Sequence, residues 1–161
     1  MTSRIDWKAV VWAGIIAGAV FMMLDMVLVA TLGGGSLWGP PRMIAAMVMG
    51  REVLPPPANF ALVPMMVAMM IHLVMSIILA VVLGGMISNW RLSLAASIIA
   101  GTLFGLLIYV VNFYGFTAIW PWFAMARNWI SIFAHAMFGL VLGWAYHALA
   151  RPTGAEEERR V

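Results

Sequence analysis

Four long apolar runs decide what this chain can fold into. They cover residues 9–32, 61–87, 92 to about 116, and 129–149. Each is long enough to cross a hydrocarbon core of about 30 Å as a helix rising about 1.5 Å per residue. The chain is 65% hydrophobic and 9% charged, whereas a soluble domain is roughly half apolar and a quarter charged. Because the excess is arranged in runs, the expectation is an all-α integral membrane protein with four transmembrane helices. The charges sit almost wholly outside the runs, so no basic face is available for nucleic acid. The absence of cysteine excludes disulfides, thiolate metal sites and cysteine redox chemistry.

The connections refine this picture. The first run is too long for an ordinary signal core and lacks a convincing cleavage site, so it is read as a retained span. Gly33-Gly34-Gly35-Ser36 ends it. Trp38-Gly39-Pro40-Pro41 then introduces an apolar segment, residues 42–50, too short to span and expected to be an interfacial or re-entrant helix. Pro55-Pro56-Pro57 is a stiff spacer. The short stretch Ser88-Asn89-Trp90-Arg91 implies that spans two and three are antiparallel neighbours. A Trp-rich connector, residues 118–128, precedes the fourth span, and residues 150–161 form a charged tail.

Lys/Arg asymmetry sets the expected orientation. Arg4, Lys8, Arg91, Arg151, Arg159 and Arg160 fall on one side and outnumber Arg42, Arg51 and Arg127 on the other. Both termini are therefore expected in the cytoplasm, with the protein in the cell inner membrane. Trp38, Trp120, Trp122 and Trp129 would then form an outer aromatic belt at the headgroups.

Within the spans a pattern recurs. Gly14-x3-Gly18-x6-Asp25 in the first span matches Gly101-x3-Gly105-x6-Asn112 in the third. At about 100° per residue, seven residues fall about 20° short of two turns, so each copy puts two glycines and a polar side chain on one helix face. Each is followed by a span carrying a histidine: His72 in line with Ala68, Ser76 and Ala80, and His135 in line with Gly139 and Gly143. Small residues at four-residue steps allow close helix approach. The chain therefore reads as a single membrane domain, 1–161, made of two parallel helical-hairpin repeats, 9–87 and 92–149. Gly14, Gly18, Gly101, Gly105, Gly139 and Gly143 are its packing positions.

Counting from the helix ends, Asp25, His72, Asn112 and His135 all fall roughly 6–12 Å below the outer surface. A charged group in hydrocarbon costs about 2.5–3.5 kcal/mol at mid-helix, so it is normally paired, wetted or bound. The bland reading is a structural network in which Asp25 accepts from a histidine and Asn112 bridges helices. Three functional readings stand beside it. Two imidazoles, a carboxylate and an amide can hold a transition metal, and two imidazoles alone can ligate haem b. Intramembrane Asp and His also suit a small proton-, ion- or solute-transporting protein acting as an oligomer. Finally, the glycine faces suit a structural or accessory subunit of a larger membrane complex. No phosphate loop, serine nucleophile with a positioned base, or paired intramembrane carboxylates is present, so no catalytic residues are assigned.

The stretches Gly14-Ile-Ile-Ala-Gly18, Val111-Asn-Phe-Tyr-Gly115 and Ala134-His-Ala-Met-Phe-Gly139 resemble those of small bacterial four-helix membrane proteins of uncharacterised function. Some of these carry a sodium:proline symporter label. The resemblance covers nearly the whole chain and implies a four-helix membrane fold. The symporter label implies ten or more spans with broken helices, which this chain is too short to hold. The leading expectation is a membrane binding or accessory module built on the Asp25/His72/Asn112/His135 layer. Its partners are the lipid bilayer and either a second copy or a larger complex, and not nucleic acid.

Overall fold

The computed structural model describes residues 5–54 and 59–150, and every regular element among them is helical. Five α-helices follow in order: α1 (Trp7–Thr31), α2 (Gly39–Met49), α3 (Leu62–Trp90), α4 (Leu94–Val110) and α5 (Trp129–Leu149). α4 continues through a π-helical turn, Val111–Gly115, and a 3-10 turn, Phe116–Ala118. α1, α3, this extended α4 and α5 are the four helices long and apolar enough to cross a membrane. The proline spacer at 55–57, Arg4 and the charged tail lie outside the described residues.

Polar side chains start three of these helices. Asp6 accepts from the backbone N–H of Lys8 and Ala9, Ser93 from Ala96, and Asn128 from Ser131. Each cap satisfies otherwise orphaned donors and contributes about 1 kcal/mol. α3 runs through Ser88, Asn89 and Trp90, which the sequence assigns to a turn. The reversal falls instead at Arg91, a left-handed C-cap with φ 48°.

Helix pairing follows the small-residue faces rather than the shortness of the links. α3 packs on α1, and α4 packs on α5, while α3 and α4 meet only marginally despite their short link. The expectation that spans two and three are close neighbours is therefore corrected. A short link limits the distance between helix ends, but the faces that can approach decide which helices lie together. α5 sits between α1 and α4 and is the most enclosed span.

The α4–α5 seam brings backbone against backbone. A Cβ built on Gly101 would meet the carbonyl oxygen of Gly139, and one on Gly139 that of Gly101. One on Gly105 would meet the carbonyl oxygen of His135, and one on Gly143 that of Ser97. The glycine hydrogens occupying those positions point at the oxygens, an arrangement for weak Cα–H···O contacts. The α1–α3 seam is looser but has the same register. A Cβ on Gly14 would stand 3.0 Å from Ile77 Cα and 3.2 Å from Ala80 Cβ, and one on Gly18 2.7 Å from Ser76 Oγ.

The two ends of the bundle differ. At the terminal end, Val10, Leu83, Leu142 and Tyr146 from α1, α3 and α5 fill the interior. The Tyr146 hydroxyl closes it, 2.5 Å from Ser88 Oγ and accepting the Asp6 backbone N–H at 3.4 Å. At the opposite, loop end, α2 lies across α3 and part of α1 as a roof. Arg42 braces that roof, donating through Nε to the Asn59 carbonyl at 2.9 Å and through Nη1 to the Val53 carbonyl at 3.0 Å. Trp122 is buried, and its indole N–H donates to the Met43 carbonyl at 3.1 Å. It is a tie between connector and roof rather than a member of an exposed belt. Trp129, by contrast, is exposed.

Candidate functional site

Beneath the roof lies a cavity of about 670 Å³. Asp25 of α1, His72 of α3, Asn112 of the π turn and His135 of α5 all line it. Side chains spread over 111 residues of sequence, from four separate elements, thus face one space. The helix faces explain this. Gly18 and Asp25 share a face of α1, and Gly18 lies against His72 and Ser76. Gly105 lies against His135, and Asn112 follows it two turns later. The glycine register therefore carries each polar side chain to the histidine side of its partner helix.

The two histidines are held differently. His72 Nε2 lies 2.9 Å from the Gly18 carbonyl oxygen. His135 Nδ1 lies 2.7 Å from the Ser131 carbonyl oxygen, one turn earlier on its own helix. A carbonyl only accepts, so each of these nitrogens carries the proton. In the neutral ring this leaves Nδ1 of His72 and Nε2 of His135 as acceptors. The latter receives the Asn112 amide at 3.3 Å, with Nδ2 donating.

Asp25 is not part of this network. It is half-buried and makes no hydrogen bond or ion pair with another described residue. The sequence reading that Asp25 accepts from a histidine is corrected, because both protonated ring nitrogens are already spent on backbone carbonyls. Asn112 does bridge helices, and its partner is His135.

Phe21 is the residue that motif reasoning missed. Its ring stacks on His72 at 5.2 Å between centroids and 23° between planes. It meets His135 edge-on at 4.8 Å and 84°. It therefore stands between the imidazoles. The signal was present: Phe21 lies three residues after Gly18 and four before Asp25, on the same face. Tyr109 and Phe113 complete the aromatic surround of His135, at 5.8 and 5.4 Å.

Arg127 organises the segment that presents Asn112. Its Nε donates to the Phe113 carbonyl at 2.7 Å and its Nη2 to Thr117 Oγ1 at 3.0 Å, while the guanidinium lies 4.5 Å from the Tyr114 ring centroid. A π turn leaves backbone groups out of α-helical register, and π turns often accompany functional sites. Arg127 satisfies one of those carbonyls.

Among the described residues no three His, Asp or Glu side chains cluster as metal ligands would. The Phe21 ring lies against both imidazoles, 5.2 Å from His72 and 4.8 Å from His135 between centroids. The arrangement presents instead an apolar chamber with a few fixed polar groups, the usual constitution of a small-molecule site. No protein-family model, curated protein or solved structure is significantly similar to this chain.

Proposed function

We propose that this chain is a multi-pass inner-membrane binding module whose loop-end cavity takes a small amphiphilic molecule. The observation carrying the reading is the convergence of Asp25, His72, Asn112 and His135 on one cavity while the terminal half is packed solid. Structural glue would require no chamber of about 670 Å³, and ligand sites commonly measure about 300–1,000 Å³. The apolar helix surfaces suit lipid. On α3, Met66, Met70, Val74, Ile78 and Val82 are exposed at four-residue steps, and on α4 so are Ile99, Leu103 and Leu107. Lys8 and Arg91 lie at the terminal end of the described chain, in keeping with cytoplasmic termini.

The parallel repeat remains our reading of how the site arose. It is supported by the shared seam register, in which Gly14 and Gly18 meet Ala80 and Ser76 as Gly101 and Gly105 meet Gly143 and Gly139. The short second helix is best read as an interfacial roof rather than a re-entrant hairpin, since it covers the cavity without entering the packed core.

The test is retention of a small molecule. Purified protein in mild detergent, examined by native mass spectrometry, is expected to carry a copurifying amphiphile. Met47→Trp, which fills the cavity from the roof, is expected to lose it while remaining folded. Equal retention by both proteins, or none by either with no stabilisation by added apolar alcohols, overturns the binding reading. Solute or proton flux in liposomes that disappears with Asp25→Asn replaces it with transport.

A further inference from the structure

We infer that the cavity selects a cation: its ligand is an apolar body carrying a protonated amine, held at Asp25. This rests on the binding reading above and deepens it.

The first argument is a count of what the polar groups have left to offer. His72 and His135 spend their N–H groups on Gly18 and Ser131 carbonyls. His135 Nε2 takes one Asn112 N–H, which leaves that amide a second N–H to donate and its carbonyl oxygen as an acceptor. Asp25 adds two oxygens with no described partner. His72 Nδ1, Asn112 Oδ1 and the Asp25 carboxyl thus leave a surplus of lone pairs in residues lining the cavity. An ammonium, with donors and no acceptor, complements that surplus. A ketone or quinone head, which brings only acceptors, would leave the Asp25 carboxyl without a donor.

The second argument is charge. Among the described residues no Lys or Arg lines the cavity. Of the arginines at the same end of the bundle, Arg42 and Arg127 are committed to carbonyls of the roof and the π turn, and Arg51 is exposed with its guanidinium 6.0 Å from the Trp122 ring centroid, outside the lining. An anionic head would meet Asp25 with no counter-charge. The same applies to the phosphate of an aminophospholipid, so the amine is not a lipid headgroup. A bound ammonium supplies the partner that an intramembrane carboxyl otherwise lacks.

The third is the wall. Phe21, Phe113 and Phe123 bring aromatic rings to the cavity, and ring faces attract cations. Met43, Met47 and Met75 line the remainder with adaptable thioethers, which accommodate apolar bodies of differing shape. Selection by charge with tolerance of shape follows.

Three matched probes test this: phenylbutylamine, phenylbutanol and phenylbutyrate. Each is titrated against the full-length protein in mild detergent, reading the ligand-dependent shift of the unfolding temperature. The amine is expected to bind about tenfold or more tightly than the alcohol, as a charge-assisted contact allows, with the carboxylate weakest. Asp25→Asn is expected to bring the amine to the level of the alcohol and leave the alcohol unchanged. If that variant does not fold, the wild-type ranking alone decides. Equal binding of amine and alcohol, or preference for the carboxylate, overturns the cation assignment and leaves the cavity reading standing. No stabilisation by any of the three overturns both.

Discussion

Asn112 donates its amide N–H to His135 Nε2 at 3.3 Å, joining the π turn after α4 to the second turn of α5. The bond is possible because the Ser131 carbonyl holds the proton on the other ring nitrogen, Nδ1. Side-chain hydrogen bonds between membrane helices average about 0.6 kcal/mol in double-mutant cycles, with about 1.7 as the observed maximum. A cycle of Asn112→Ala and His135→Ala, followed by denaturant unfolding, is expected to return a coupling in that range. Additive single effects would show that the two side chains act independently.

The glycine seams predict an order of sensitivity. Gly139→Ala forces a methyl onto the Gly101 carbonyl, so α4 and α5 must separate. Overpacking of this kind costs about 1–3 kcal/mol and sometimes more. Gly14→Ala meets Ile77 Cα at 3.0 Å and is expected to cost less. Gly85→Ala meets only Ile5 Cδ1 at 3.6 Å and is expected to be neutral. Unfolding temperatures of the three variants should rank in that order. A neutral Gly139→Ala would mean that the α4–α5 approach is not as close as described.

At the terminal end the Tyr146 hydroxyl joins α5 to Ser88 and to the start of α1. Tyr146→Phe keeps the ring in the core and removes one oxygen. The expected loss is about 1 kcal/mol, the net worth of a typical intramolecular hydrogen bond. Because the site lies at the opposite end, binding of any cavity ligand by the folded fraction should be unchanged.

The four spans were legible because hydrocarbon demands long uninterrupted apolar helices, and the runs around Gly14, His72, Gly105 and His135 have that length. The glycine faces were legible because helix geometry places residues i and i+4 together. Neighbour choice was not. Ser88 to Arg91 looked like a link that ties two helices side by side, yet contact follows the small-residue faces, and sequence does not state which face meets which. Phe21 was hidden for a different reason: a phenylalanine in an apolar run carries no chemical signature until its neighbours are known. The tautomers were hidden too. That both histidines spend a proton on a backbone carbonyl depends on the carbonyls of Gly18 and Ser131, which have no side-chain signal at all.

Phe21 also yields the sharpest test of what the site is for. It stacks on His72 and meets His135 edge-on, so it holds the imidazoles apart and forms part of the cavity wall. Phe21→Leu removes ring area while keeping an apolar side chain, and is expected to destabilise by about 1–3 kcal/mol, below the about 3–5 typical of Phe→Ala. Loss of the aromatic face should also weaken an ammonium ligand by roughly two- to fivefold relative to its alcohol counterpart, in line with an attraction of about 0.5–1 kcal/mol. Metal removal supplies the contrasting outcome. Extensive dialysis against a chelator is expected to leave the wild-type unfolding temperature unchanged, since no three His, Asp or Glu side chains cluster as metal ligands among the described residues. A chelator-sensitive unfolding temperature, with stoichiometric metal by elemental analysis, would show that the lone-pair nitrogens of the histidines serve a metal and would end the amine reading.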